Sequence, residues 1–191
     1  MLEGKEPEKL AARLAWMLAD QSATATAEQR QSVRRWQGRD RFYRQVQQAA
    51  RDDPAASDEA RNVADDLASL AAPLTQRFVV WRGIRAIHNT FGVSLVDLHT
   101  LIGQTFEIDQ FFATTVDRGI AEGEFTEPAP ASALYRVTIE AGTEAVWIPP
   151  LGVPEEARQN ELLLLPGLEA RIVAVDTSDT LPIVDMEVSD G

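Results

Sequence analysis

Apolar residues recur at helical spacing as far as Leu70, and from Phe78 onward they fall in short alternating or continuous runs. Leu10, Leu14, Met17 and Leu18 keep one helical face, and Val33, Trp36 and Tyr43 keep a second with slight drift. The stretch 52–57 breaks the pattern. Ser57 then stands where a capped helix restarts, with Ala60, Val63, Ala64, Leu67 and Leu70 as its inward face and Pro73 beyond its end. After Phe78 the spacing predicts strands over 78–82, 135–139, 146–148, 162–165, 171–175 and 183–188. Residues 94–102 read as a helix, with a helical turn near 118–121, and the Pro- and Ala-rich segment 124–132 reads as a mobile loop. Helices first and strands afterwards exclude a regular βαβ alternation and point to an α+β fold.

The chain has 191 residues, 45% hydrophobic and 25% charged, which suits one domain around one core. No apolar run approaches the ~18–20 residues needed to span a bilayer. The N-terminus lacks a basic segment followed by an apolar one, so export is expected only by a specialised route or as part of a longer polypeptide. There are no cysteines and only two histidines, His88 and His99. That excludes a disulfide framework, a thiol nucleophile and a thiolate metal site, and no metal is expected. The net charge is −12. Against it, Arg30, Arg34, Arg35, Arg39, Arg41, Arg44 and Arg51 cluster with Trp36, Phe42 and Tyr43. The cluster reads either as a surface for nucleic acid or an acidic partner, or as a solvated helix face; overall acidity argues against a polyanion.

Three stretches carry chemistry. In 158–167 a Gln, an Asn and a Glu precede four leucines and a Pro-Gly turn. If all belong to one strand, Gln159 and Glu161 project to one side and Asn160 to the other. That pair reads as a cleft wall, or as charges where a strand leaves solvent. In 78–83 an apolar strand ends by presenting Arg82, suited to bidentate phosphate pairing, and Gly83, which permits close backbone approach. In 103–115 an aromatic-led strand ends in Ala113, Thr114 and Thr115.

In this order, Arg-Gly, then Phe-x-Thr-Thr, then Gln-x-Glu resembles the Arg–Ser–Glu class of mono-ADP-ribosyltransferases, which includes the clostridial exoenzymes, actin-modifying toxins and many bacterial effector domains. The resemblance covers 57–188. It implies two small β-sheets packed at a steep angle, an NAD cleft between them, and N-terminal helices along one side. Residues 57–191 would be the transferase core, and 1–56 a helical clamp or an accessory segment.

The resemblance also implies roles. Glu161 would bond the nicotinamide ribose and stabilise the oxocarbenium ion that develops as nicotinamide leaves NAD. Arg82 would hold a phosphate of the dinucleotide, and Gly83 would offer its backbone to the nicotinamide amide. Arg85 and Arg118 are candidate second phosphate contacts, Thr114 and Thr115 the hydroxyl positions of the middle motif, and Phe125 a ring-stacking residue. Ala113 departs from the family, which usually carries there a serine that orients the catalytic carboxylate; Gln159 or a water would have to hold Glu161 instead. Gln159 itself, where arginine-modifying members carry Glu, implies a non-arginine acceptor. Residues 147–158 correspond to the acceptor-recognition loop, with Trp147, Leu151 or Val153 as apolar contacts to a protein target, although Trp147 also reads as a core aromatic. An effector or toxin of this kind is delivered into a target cell and travels with an inhibitor protein, for which the acidic C-terminal half offers a complementary charge. The alternatives are a nucleic-acid-modifying transferase, an NAD glycohydrolase, and an inactive binding module of the same fold.

Overall fold

The computed structural model describes residues 7–124, 126 and 131–190. Its first third is helical, as the periodicity predicts: α1 (Pro7–Met17), α2 (Ala19–Thr24), α3 (Ala27–Trp36), α4 (Tyr43–Ala50) and α5 (Asp58–Leu70). A reciprocal capping box starts α3, the Thr26 hydroxyl accepting from the Gln29 amide and the Gln29 side chain accepting from the Thr26 amide. Ser57 caps α5 by accepting from the Ala60 amide, and the expected inward face of that helix is buried.

The strands follow: β1 (Ala72–Pro73), β2 (Phe78–Ile84), β3 (Thr105–Ile108), β4 (Phe112–Thr115), β5 (Ala133–Ile139), β6 (Glu144–Trp147), β7 (Glu161–Leu164), β8 (Leu168–Asp176) and β9 (Ile183–Asp190). The short helices α6 (Ile87–Phe91) and α7 (Arg118–Glu124) lie among them, with 3₁₀ turns at Leu95–Leu101 and Pro154–Gln159. The class is α+β. Two expectations change in detail. The stretch 103–115 is two strands rather than one, β3 at the sheet edge against β8 and β4 against β7. The strands also form one sheet, ordered β1-β6-β7-β4-β2-β5-β9-β8-β3, rather than two. The seam explains the difference, because β4 and β2 share only the pair Trp81–Thr115. On its other edge β2 is fully laddered to β5, from Phe78–Ile139 to Ile84–Ala133. Four strands on one side and five on the other therefore meet at a single residue pair.

Packing explains the run of leucines. Leu162 and Leu164 join one core with α1 and the five-strand half, and Leu163 joins a second core with α3, α4 and α5. The strand is buried on both faces, which is why it shows no polar alternation. Of segment 124–132, only Glu124, Thr126, Ala131 and Ser132 fall within the described residues. No helix among the described residues is long and apolar enough to cross a membrane.

Glutamines fasten the helices to the sheet. Buried Gln21 of α2 donates to the Ala145 carbonyl at 2.6 Å and accepts from the Trp147 amide at 3.0 Å, extending β6's edge past the two-residue β1. Gln47 of α4 does the same for Phe111, donating to its carbonyl at 2.7 Å and accepting from its amide at 2.9 Å. A primary amide suits this use because it carries both a donor and an acceptor. Replacing Gln21 with Ala strands a buried N–H and a buried carbonyl. Urea unfolding should then show a loss of about 1–3 kcal/mol with an unchanged slope.

Candidate active site

The cleft opens at the seam between the half-sheets and has a volume of about 950 Å³. Arg82 stands just past the Trp81–Thr115 pair, where β2 leaves β4, and its Nη1 donates to the Ala113 carbonyl at 2.6 Å. Its guanidinium lies 4.6 Å from the centre of the Phe112 ring, a cation–π contact that holds it flat. Burial pulls its pKa below the ordinary arginine value, and Tyr135 and Glu161 oppose that shift. Gly83, Arg85, Thr114, Gln159 and Glu161 line the same cleft.

Glu161 is 8% exposed. It opens β7 directly opposite Thr115, and alternation puts its side chain on the face of Leu163, toward α3. There the Trp36 indole Nε1 donates to Oε1 at 2.9 Å and the Gln37 amide donates to Oε2 at 3.3 Å. Burial raises the carboxyl's pKa above the usual glutamate range, while the two donors and the Arg82 charge pull it back.

Gln159 reaches the cleft by a route that strand alternation does not describe. It ends the 3₁₀ turn Pro154–Gln159, and Asn160 adopts the left-handed conformation (φ 47) before β7 begins. Its Nε2 donates to Glu156 at 3.0 Å and Glu124 at 3.3 Å, and it does not hold Glu161. Thr115 backs this turn, donating to the Gln159 carbonyl at 2.6 Å, and Thr114 donates to the Leu162 carbonyl at 2.7 Å.

Other expected residues go elsewhere. Arg118 is outside the cleft lining, ion-paired with Glu122 and Asp179 and 5.3 Å from the Trp81 ring centre. Phe125 lies outside the described residues. Trp147 and Leu151 are core residues, 2% and 1% exposed, so of the three apolar candidates in loop 147–158 only Val153 reaches the surface. The arginine cluster is not a continuous face. Arg35 pairs with Asp40 and Glu59, Arg51 with Asp109, and Arg30 bonds backbone carbonyls, while Arg39 and Arg41 border the cleft. No group of acids and histidines that could hold a metal occurs among the described residues.

Trp36 and Gln37 were not among the expected site residues. The only sequence signal was an aromatic inside the arginine cluster, and Trp36 also fits the apolar face of its helix. Gln37 carries a second constraint, since its Oε1 accepts from the Val153 amide at 2.8 Å. A Cβ on Gly152 would come within 2.1 Å of that oxygen.

No protein-family model and no curated protein sequence matches the chain. Solved structures do. Plx2a, an ADP-ribosyltransferase toxin from Paenibacillus larvae, aligns over 99% of this chain and 100% of its own at 14% identity with a TM-score of 0.77. An ADP-ribosyltransferase from Clostridium botulinum aligns over 98% of each chain at 10% identity with a TM-score of 0.74. This is the ADP-ribosyltransferase fold. BECa, an ADP-ribosylating toxin of a C. perfringens binary enterotoxin solved with NADH, matches 99% of this chain but only 50% of its own length, at 14% identity and a TM-score of 0.74.

The raised pKa of Glu161 has a sign that can be checked. The folded chain binds that proton more tightly than the unfolded one, so the group's stabilisation is complete below its unfolded value and is lost as pH rises through the folded value. Raising pH from about 4 to about 7 should lower the Tm of the wild type relative to Glu161→Gln, which cannot titrate. A difference that widens in the wild type's favour contradicts the burial described here.

Proposed function

We propose that the chain is a mono-ADP-ribosyltransferase that transfers ADP-ribose from NAD to a protein side chain other than arginine. The observation that carries this reading is Arg82 and Glu161 lining one cleft at the seam of an ADP-ribosyltransferase fold. Among the described residues the indole N–H of Trp81 and the hydroxyl of Tyr135, two residues of the cleft lining, are buried without a hydrogen-bond partner.

In this reading the bond between nicotinamide and its ribose breaks heterolytically, and its electron pair neutralises the pyridinium nitrogen. The ribose is left as an oxocarbenium ion. Glu161 faces the developing positive charge and accepts from a ribose hydroxyl. Arg82, with Arg85 beside it, holds the pyrophosphate, and the Gly83 backbone meets the nicotinamide amide. Little covalent work falls to the protein, so most of the acceleration is electrostatic and positional. The acceptor's nucleophilic atom attacks the ribosyl carbon and gives up its proton to water. Gln159 has its amide nitrogen engaged by Glu124 and Glu156, so its oxygen is the atom it offers to an incoming donor. The same reading has the protein act inside a target cell reached by a specialised route, with residues 1–56 serving as a clamp on the 57–191 core.

The test is nicotinamide release from NAD, with and without a lysate of candidate targets. Release that requires lysate, with label on protein, supports the transferase; release without lysate indicates a glycohydrolase, and none under either condition a binding module. Glu161→Ala should lower kcat by about 10²–10³-fold with NAD binding retained. Arg82→Ala should raise the Kd for NAD, measured by titration calorimetry. Labelled arginine in the product would refute the acceptor assignment.

A further inference from the structure

We propose that Trp36 and Gln37, at the end of α3, are positioning residues that fix the Glu161 carboxylate, the work that no β4 side chain does in this chain. The proposal rests on the transferase reading of Glu161 and assigns the residues that make that carboxylate rigid.

The three β4 side chains beside Glu161 are all otherwise engaged or mute. Thr114 bonds the Leu162 carbonyl, Thr115 bonds the Gln159 carbonyl and accepts from the Asp117 amide, and Ala113 ends in a methyl. Ladder register puts Ala113 on the same face as Thr115 and Glu161, one diagonal step away. A hydroxyl there would be close to the carboxylate, and none is present.

The two α3 donors take one carboxylate oxygen each. Neither is free to turn away. The Trp36 ring is buried and meets Tyr43 and Phe111 edge-on, with centroids 6.0 and 5.7 Å apart. An indole nitrogen can only donate. The Gln37 amide is oriented by the Val153 N–H, which occupies its oxygen and leaves its nitrogen directed at Glu161; flipping it would set donor against donor at Val153 and acceptor against acceptor at Glu161. Gln37 thereby also links the carboxylate to the loop preceding β7.

This arrangement matters most to a residue that stabilises a growing cation. A carboxylate that must stay ionised while buried needs donors, and one that must face a moving charge needs a fixed direction. Such a hold acts on the turnover step more than on the affinity for NAD.

The experiment compares Trp36→Phe, which keeps an aromatic ring and removes the N–H, and Gln37→Met, which keeps the length and removes the amide. Each should lower kcat by about tenfold to a hundredfold, the loss of one hydrogen bond to a charged group, with KM for NAD little changed. The acid limb of the pH–kcat profile should move to higher pH, since losing a donor raises the carboxyl's pKa further. Arg82 from β2 faces Glu161, with Tyr135 and Tyr43 beyond it and Glu124 and Glu156 elsewhere in the cleft lining, and none of them is altered. Adding Ala113→Ser to Trp36→Phe should recover turnover by restoring a donor from β4. Unchanged kcat and acid limb in both variants, or equal losses in kcat and stability without rescue by the serine, overturn the proposal. A readout in the unaltered protein guards against variants that do not fold. The Trp36 indole proton should shift in NMR spectra as Glu161 titrates, and a resonance indifferent to that titration also overturns it. A wild type that releases no nicotinamide defeats the transferase reading instead, and the indole titration still decides whether α3 holds the carboxylate.

Discussion

A carboxyl group lies at the head of a strand buried on both faces, and its surroundings are arranged around the cost of keeping it there. Glu161 precedes three leucines that are fully enclosed by two separate cores. Left alone in such surroundings it would favour its protonated form. Arg82 on β2 supplies the opposite charge, and α3 supplies two N–H groups. The N-terminal helices are therefore electrostatic partners of the strand as well as cover for its apolar face.

The seam between the half-sheets gives this arrangement its opening. A fully laddered β2–β4 pair would close the gap with backbone hydrogen bonds and leave nowhere for a ligand. One shared residue pair keeps the two halves in a single sheet, and the strands part immediately beyond it, at Arg82 and Gly83. Three glutamines, at positions 21, 37 and 47, hold the helices across this broken surface. Each uses its amide to donate and accept at once, Gln21 and Gln47 along backbone edges and Gln37 between the Glu161 carboxylate and the Val153 amide.

Much of this was legible in the residues. Periodicity located the N-terminal helices, the cap at Ser57 and most strands, while only the family resemblance of their motifs suggested that Arg82, Thr114 and Glu161, which line one cleft, belong together. What failed did so for local physical reasons. Asn160 takes a left-handed conformation that a strand pattern cannot anticipate, so Gln159 belongs to a turn and its side chain meets Glu124 and Glu156. The helix expected over 94–102 is present but winds as a 3₁₀ helix over Leu95–Leu101, a difference in pitch that apolar spacing does not report. Leu151 looked available for contact, and Trp147 read either as a contact or as a core aromatic; both are core, because apolar residues in a loop are as readily anchors as recognition groups. Trp36 and Gln37 were hidden by distance, since nothing in a linear chain announces a pairing across more than a hundred residues.

Gly152 takes on a meaning that its own surroundings conceal. It borders the tip of Gln37 so closely that even a methyl would drive the amide aside, and the amide's flexible stem would let it go with little steric penalty. What would be broken is the bridge between the loop and the carboxylate, while every group that lines the cleft keeps its identity. One carbon atom added at this bend would thus act at a distance, loosening the hold on a buried carboxylate without adding or removing a single polar group.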